Sequence, residues 1–172
     1  PKQLGQFPLE RTTFAERLKE KEYKAGFIGK WHLGTDEEMG PKSQGFDYTY
    51  AVSERGYPPT FHAPYVRGDY KLDVEPKTSN EYLTDNLTDA AVRFIEDNKD
   101  EPFCLYFSHY SVHSPWESKQ EYTDYFEAKR TPGAPHDNAK YAGMIKSLDD
   151  SVGRLCVSVF PRDHLKDSTR HC

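Results

Sequence analysis

The sequence predicts an α/β fold with a mostly parallel sheet flanked by helices. Three observations carry that expectation. Apolar residues at helical spacing alternate along the chain with short apolar runs of strand length. A helix leading into a strand occurs twice, which is how parallel sheets are connected. Both strand-like runs, Ala25-Gly26-Phe27-Ile28 and Phe103-Cys104-Leu105-Tyr106-Phe107, pass directly into segments carrying histidine, and open α/β sheets place their ligands beyond the carboxyl ends of strands.

Taken in order, Thr13-Phe14-Ala15-Glu16 has capping-box spacing and opens a helix on which Phe14 and Leu18 stand one turn apart. That helix leads into the strand before Gly29-Lys30-Trp31-His32-Leu33-Gly34. Residues 35–80 are rich in turn formers and aromatics: Gly40-Pro41, Gly45-Phe46-Asp47, Gly56-Tyr57-Pro58-Pro59 and Arg67-Gly68-Asp69-Tyr70. Long irregular segments of that kind tend to be functional loops. From Thr84, the positions Leu87, Ala90, Ala91, Phe94 and Ile95 follow the amphipathic helix pattern to about Asn98, ahead of a strand over 103–108. Ser118-Lys119-Gln120-Glu121 again has capping-box spacing and predicts a helix through about Ala128, broken by Thr131-Pro132-Gly133-Ala134-Pro135. A last helix starts near Asn138, with Tyr141, Met144, Ile145, Leu148, Val152 and Leu155 at helical spacing, read as packing on the sheet. The sequon Asn86-Leu87-Thr88 falls inside a helix pattern. Asp149 and Asp150 point about 100° apart on a helix and make a poor clasp for one ion.

Only 32 of the 172 residues are Leu, Ile, Val or Phe, while tyrosine contributes 12. With a net charge of −5 this is not the composition of a disordered chain; it suggests a core completed by other segments, and marginal stability in isolation. The acidic balance and the lack of a Lys/Arg block argue against nucleic acid as a partner. No apolar run approaches a membrane span. Cys104, Cys156 and Cys172 are widely spaced, without a metal-type or redox-type pair.

The chemistry concentrates at the two strand ends. Residues two apart on a strand share a face, so Lys30 and His32 are expected side by side, a fixed cation beside an imidazole that titrates near neutral pH. That pairing suits an anionic substrate, and it equally suits a solvated sheet edge whose histidine satisfies a backbone carbonyl. His113, in Ser111-Val112-His113-Ser114-Pro115, stands at the other strand end. His109, four residues before it, has helical metal-ligand spacing in a segment that does not read as helix, and is expected to pack or to support. In the 35–80 loops Arg55, Tyr57, His62 and Arg67 are the specificity candidates, since tyrosines stack on sugar rings and arginines meet sulfate or carboxylate, while the plainer reading is a surface loop whose aromatics pack on the body.

The ordered set of Phe14-Ala15-Glu16-Arg17-Leu18-Lys19, Phe27 to Gly34 with its Gly-Lys-Trp-His core, Pro41 with Gly45-Phe46-Asp47, Tyr82-Leu83-Thr84-Asp85, Pro102 to Pro115, and Tyr141-Ala142-Gly143-Met144-Ile145 through Val152-Gly153-Arg154 resembles the type I sulfatase family of the alkaline phosphatase superfamily over residues 12 to 155. The resemblance implies a partial alkaline-phosphatase-like fold and hydrolysis of sulfate esters, most plausibly on carbohydrates. It implies that Lys30 and His32 contact the family's formylglycine nucleophile and that His113 contacts the sulfate or assists the leaving oxygen. It also implies a periplasmic or extracellular setting.

The family's formylglycine arises from Cys-x-Pro-x-Arg, and none of the three cysteines lies in that pattern. Its calcium is held by an early Asp pair and a later Asp-Asn or Asp-Gln pair, expected before residue 1 and beyond the last helix. Residues 1–155 are therefore expected to be an incomplete catalytic domain that binds no metal or cofactor by itself, is inactive alone, and has the missing parts of its own domain as partners. Residues 156–172 depart from the family pattern and are expected to be poorly ordered. Two alternatives stay open: a phosphomonoester or phosphonate hydrolase of the same superfamily, and a non-catalytic module that binds sulfated glycans.

Overall fold

The computed structural model describes residues 7–34, 39–53 and 55–160. Helix α1 (Phe14–Lys19) begins at the expected capping box: Thr13 Oγ1 accepts from the Glu16 amide, and the Glu16 carboxylate accepts from the Thr13 amide. Strand β1 (Lys24–Lys30) is buried from Ala25 to Gly29. It is central in a three-stranded parallel sheet, flanked by β2 (Tyr48–Ser53) and β5 (Phe103–Ser108). A two-residue hairpin, β3 (Val66–Arg67) with β4 (Tyr70–Lys71), stands apart. Helix α2 (Leu83–Asn98) covers one face, followed by α3 (Gln120–Ala128) and α4 (Ala139–Val159).

The two faces of β1 feed two cores. Ile28 joins Leu83, Leu87, Ala90 and Ala91 of α2, with Met144 of α4. Phe27 joins Ala15 and Phe46 on the α1 side, where Trp31, Phe46 and Tyr106 surround it edge-on or stacked at 5.1–5.4 Å and Phe14 packs on Phe46 and Tyr106.

The structure departs from the sequence reading in four places. The 35–80 segment, expected to be irregular, contains β2, whose parallel pairing with β1 replaces the apolar run that a strand usually announces itself by. Helix α3 has Lys119 rather than Ser118 at its N-cap, with no side-chain cap, because the Ser118 hydroxyl turns to the Lys119 carbonyl. Helix α4 lies on α2 and α3 and reaches the sheet only through the shared core. It also runs through Val159, so residues 156–159 of the expected tail are helical. Residues 161–172 lie outside the described residues.

Candidate active site

Glycine permits the close approach of the two strand ends. Gly29 has φ 99°, and a Cβ there would overlap the Ser108 carbonyl oxygen of β5. The register of β1 against β2 shifts between Ile28 and Lys30. This bulge places Lys30 in the same cavity as Phe27, Trp31, Phe14 and Ser108, a space of about 440 Å³ open on the α1 side. The strand then ends, and His32 adopts φ 58°, so strand alternation does not reach it. Its amide donates to the Ser53 carbonyl at 3.4 Å and its ring rests on Gly56. The left-handed conformation is held by Trp31, wedged against Phe27 and Phe46, with its Nε1–H donating to the Met39 carbonyl at 3.2 Å.

The segment after β5 is pinned twice before it delivers His113. The buried Tyr110 donates to the Ala51 carbonyl at 2.8 Å, and the Ser111 hydroxyl lies 3.0 Å from that of Thr84 on α2. His113 is exposed, and its Nδ1–H donates to the Ser114 carbonyl at 2.8 Å. A carbonyl can only accept, which fixes the proton of the neutral ring on Nδ1 and leaves Nε2 open to exchange a proton with a ligand.

Arg55, Tyr57 and Arg67 line one cavity of about 240 Å³ with Tyr70, Ser114 and Pro115, directly beside His113. The Arg55 guanidinium stacks 4.4 Å above the Tyr70 ring and has no carboxylate partner among the described residues. Arg67 pairs with Glu117 at 2.8 Å. The other oxygen of that carboxylate accepts from the Thr60 hydroxyl at 2.6 Å and the Phe61 amide at 2.7 Å, tying the hairpin region to the His113 loop. His62 stands apart from this cavity: its ring lies edge-on to Tyr82 and its Nε2 is 3.3 Å from the Ser118 carbonyl. Glu117, Tyr70 and Gly56 carry no motif that marks them, although Gly56 and Tyr70 each lie in a turn signal visible in the sequence.

The remaining candidates fall away from chemistry. His109 packs on Phe107 at 3.8 Å, its Nε2 is 3.4 Å from Ser151 on α4, and burial pushes its imidazole down to about 4. Asn86 of the sequon is buried, its amide shared between Tyr50, Glu75 and Glu81. Asp150 bonds Lys146 and Tyr122. Burial raises the thiol of Cys104, on the half-exposed β5, opposite to what a nucleophile needs. Among the described residues no three His, Cys, Asp or Glu side chains stand together as a cation would require.

The Sulfatase family model matches residues 1–159. The chain is similar to human arylsulfatase G, 27% identical over 88% of this chain and 33% of that one, and to N-acetylglucosamine-6-O-sulfatase of Bacteroides thetaiotaomicron, 32% identical over 64% and 18%. Among solved structures it is similar to Ps i-CgsB, with TM-score 0.70 and 26% identity over 91% of this chain and 38% of that one, which is also solved in complex with k-i-k-neocarrahexaose. The chain spans about a third of the length of the curated relatives it matches.

Proposed function

We propose that this chain, which belongs to the sulfatase family, carries part of the catalytic site of a sulfuric ester hydrolase that acts on sulfated carbohydrate outside the cytoplasm. The observation that supports this most is the placement of Lys30, His32 and His113 at and just beyond the carboxyl ends of two adjacent parallel strands, with Gly56 touching His32 and Tyr57 touching His113. Sulfuryl transfer keeps negative charge on the free oxygens, so a preorganised ammonium at Lys30 lowers the barrier electrostatically. As the imidazolium, with Nδ1–H held by the Ser114 carbonyl, His113 gives its Nε2 proton to the departing alkoxide oxygen and is left as the neutral Nδ1–H ring. His32, exposed and backbone-anchored, supplies a second donor on the strand-end side. Arg55, Tyr57 and Arg67 supply an aromatic, cationic wall beside His113 that suits an anionic sugar.

The nucleophile and cation ligands of such an enzyme would come from segments beyond these strands, consistent with the share of its relatives that the chain spans. The chain by itself is then expected to be inactive. The test is to express the reading frame extended on both sides and to assay a 6-O-sulfated hexosamine. Lys30→Ala, His32→Ala and His113→Ala are each expected to lower kcat/KM by about 10² to 10⁴-fold. Rates within twofold of the parent would overturn the assignment, and turnover of a phosphate monoester in preference to the sulfate would redirect it within the superfamily.

A further inference from the structure

Ser53 ends β2 opposite Lys30, and Gly56 and Tyr57 follow shortly after it in the chain. Gly56 is buried with φ 70°, and a Cβ on it would overlap the Nδ1, Cγ and Cε1 atoms of the His32 ring. The next residue, Tyr57, lays its ring over the His113 imidazole, with centroids 5.8 Å apart and planes 18° from parallel. Two adjacent residues therefore touch the two histidines, which arrive from different strands.

This turn is itself braced. The Tyr70 hydroxyl donates to the Tyr57 carbonyl at 2.6 Å and lies 2.6 Å from the Ser53 hydroxyl. Ser53 also accepts from the Arg55 amide at 3.2 Å, and its carbonyl accepts from the His32 amide. The buried Pro58 and Pro59 follow, restricting the backbone on the far side.

We propose that Gly56-Tyr57 is a bracket that orients both histidines, which makes Gly56 and Tyr57 positioning residues of the reaction. This deepens, and rests on, the catalytic reading of His32 and His113. An exposed imidazole otherwise samples several rotamers and must be ordered when substrate binds. The Tyr57 ring closes one face of His113, and the Ser114 carbonyl holds Nδ1, so Nε2 is presented in one direction before the substrate arrives. Gly56 does the same for His32 by letting the backbone sit flush on its ring, where any side chain would push the imidazole away.

The test uses the full chain, with histidine ring order read by side-chain relaxation and long-range proton–nitrogen spectra, and inorganic sulfate as the probe. Tyr57→Ala is expected to raise the mobility of the His113 ring and weaken sulfate binding about threefold to tenfold, the cost of ordering one side chain on binding. Tyr57→Phe, which keeps the stack, is expected to restore both. Gly56→Ala is expected to displace His32 while leaving His113 ordered. A His113 ring as rigid in Tyr57→Ala as in the parent overturns the proposal. If Tyr57→Ala mobilises His113 while His32→Ala and His113→Ala leave kcat/KM of the extended protein unchanged, the bracket stands and the catalytic reading fails.

Discussion

His109 and His113 lie four residues apart after β5, and their surroundings give them opposite chemistry. His113 is exposed with one nitrogen open, whereas His109 is packed on Phe107 against α4 with its imidazole pushed down to about 4. Because the unfolded value near 6.5 lies above the folded one, the unfolded chain takes the proton first. The stability contributed by neutral His109 is whole above about pH 6.5 and is lost as the pH falls toward 4, a loss of roughly 3 kcal/mol. Urea titrations at pH 7 and pH 4.5 should show this loss, and His109→Gln should flatten it between those values; an unchanged slope in the variant would contradict it. The carboxylates of Asp47 and Asp89, both held below their ordinary value, titrate beneath this window. At this scale the sequence alone carries Lys30, His32 and His113, because each sits in a short local pattern. It does not carry Tyr70 or Glu117, whose roles depend on partners 13 to 57 residues away.

Among the elements, the Gly45-Phe46-Asp47 turn explains why α1 and β1 keep their places. Gly45 takes φ 96° at the end of a 3-10 turn, and a Cβ there would strike Glu16 of α1. Phe46 fills the aromatic core under β1. The Asp47 carboxylate accepts from the Ala25 amide at 3.0 Å and pairs with Lys19 at 3.4 Å, and it is held below the usual carboxylate range chiefly by that amide. Asp47→Ala leaves a buried strand amide unpaired and is expected to cost about 1–3 kcal/mol. Thr13→Ala, which removes the capping box, is expected to cost about 1 kcal/mol. Denaturant midpoints check both, and an Asp47→Ala midpoint equal to the parent's would contradict the bracing role. Helices α1, α2 and α4 and strands β1 and β5 are readable from caps and periodicity. Strand β2 is not, because Tyr48-Thr49-Tyr50-Ala51-Val52-Ser53 lacks an apolar run and takes its strand form from pairing with β1.

Across the whole molecule, burial is lopsided. Strand β1 is buried through its middle, whereas no residue of β5 is fully buried and Tyr106 is 48% exposed. On α4, Ile145, Val152, Val157 and Val159 are exposed as well. A sheet edge and a helix face left this apolar suit the addition of further layers, in keeping with relatives about three times as long. The extended reading frame is expected to unfold at a higher urea midpoint than this chain, gaining about 1.5–3 kcal/mol for each large apolar side chain that becomes fully buried; equal midpoints would contradict that expectation. The fold class was legible because alternating helix and strand signals need only local sequence, and the proposed strand-end site rests on the family resemblance. The proposal that further segments complete this core rests on the shortage of aliphatic residues and on these exposed faces. The most direct test of the central claim is leaving-group dependence in the extended protein. If His113 protonates the departing oxygen, His113→Ala should depress kcat/KM for an alkyl sulfate of a sugar by about 10² to 10⁴-fold while barely slowing a nitrophenyl sulfate, whose leaving group needs no acid. An equal loss on both substrates, or none on either, would contradict the account.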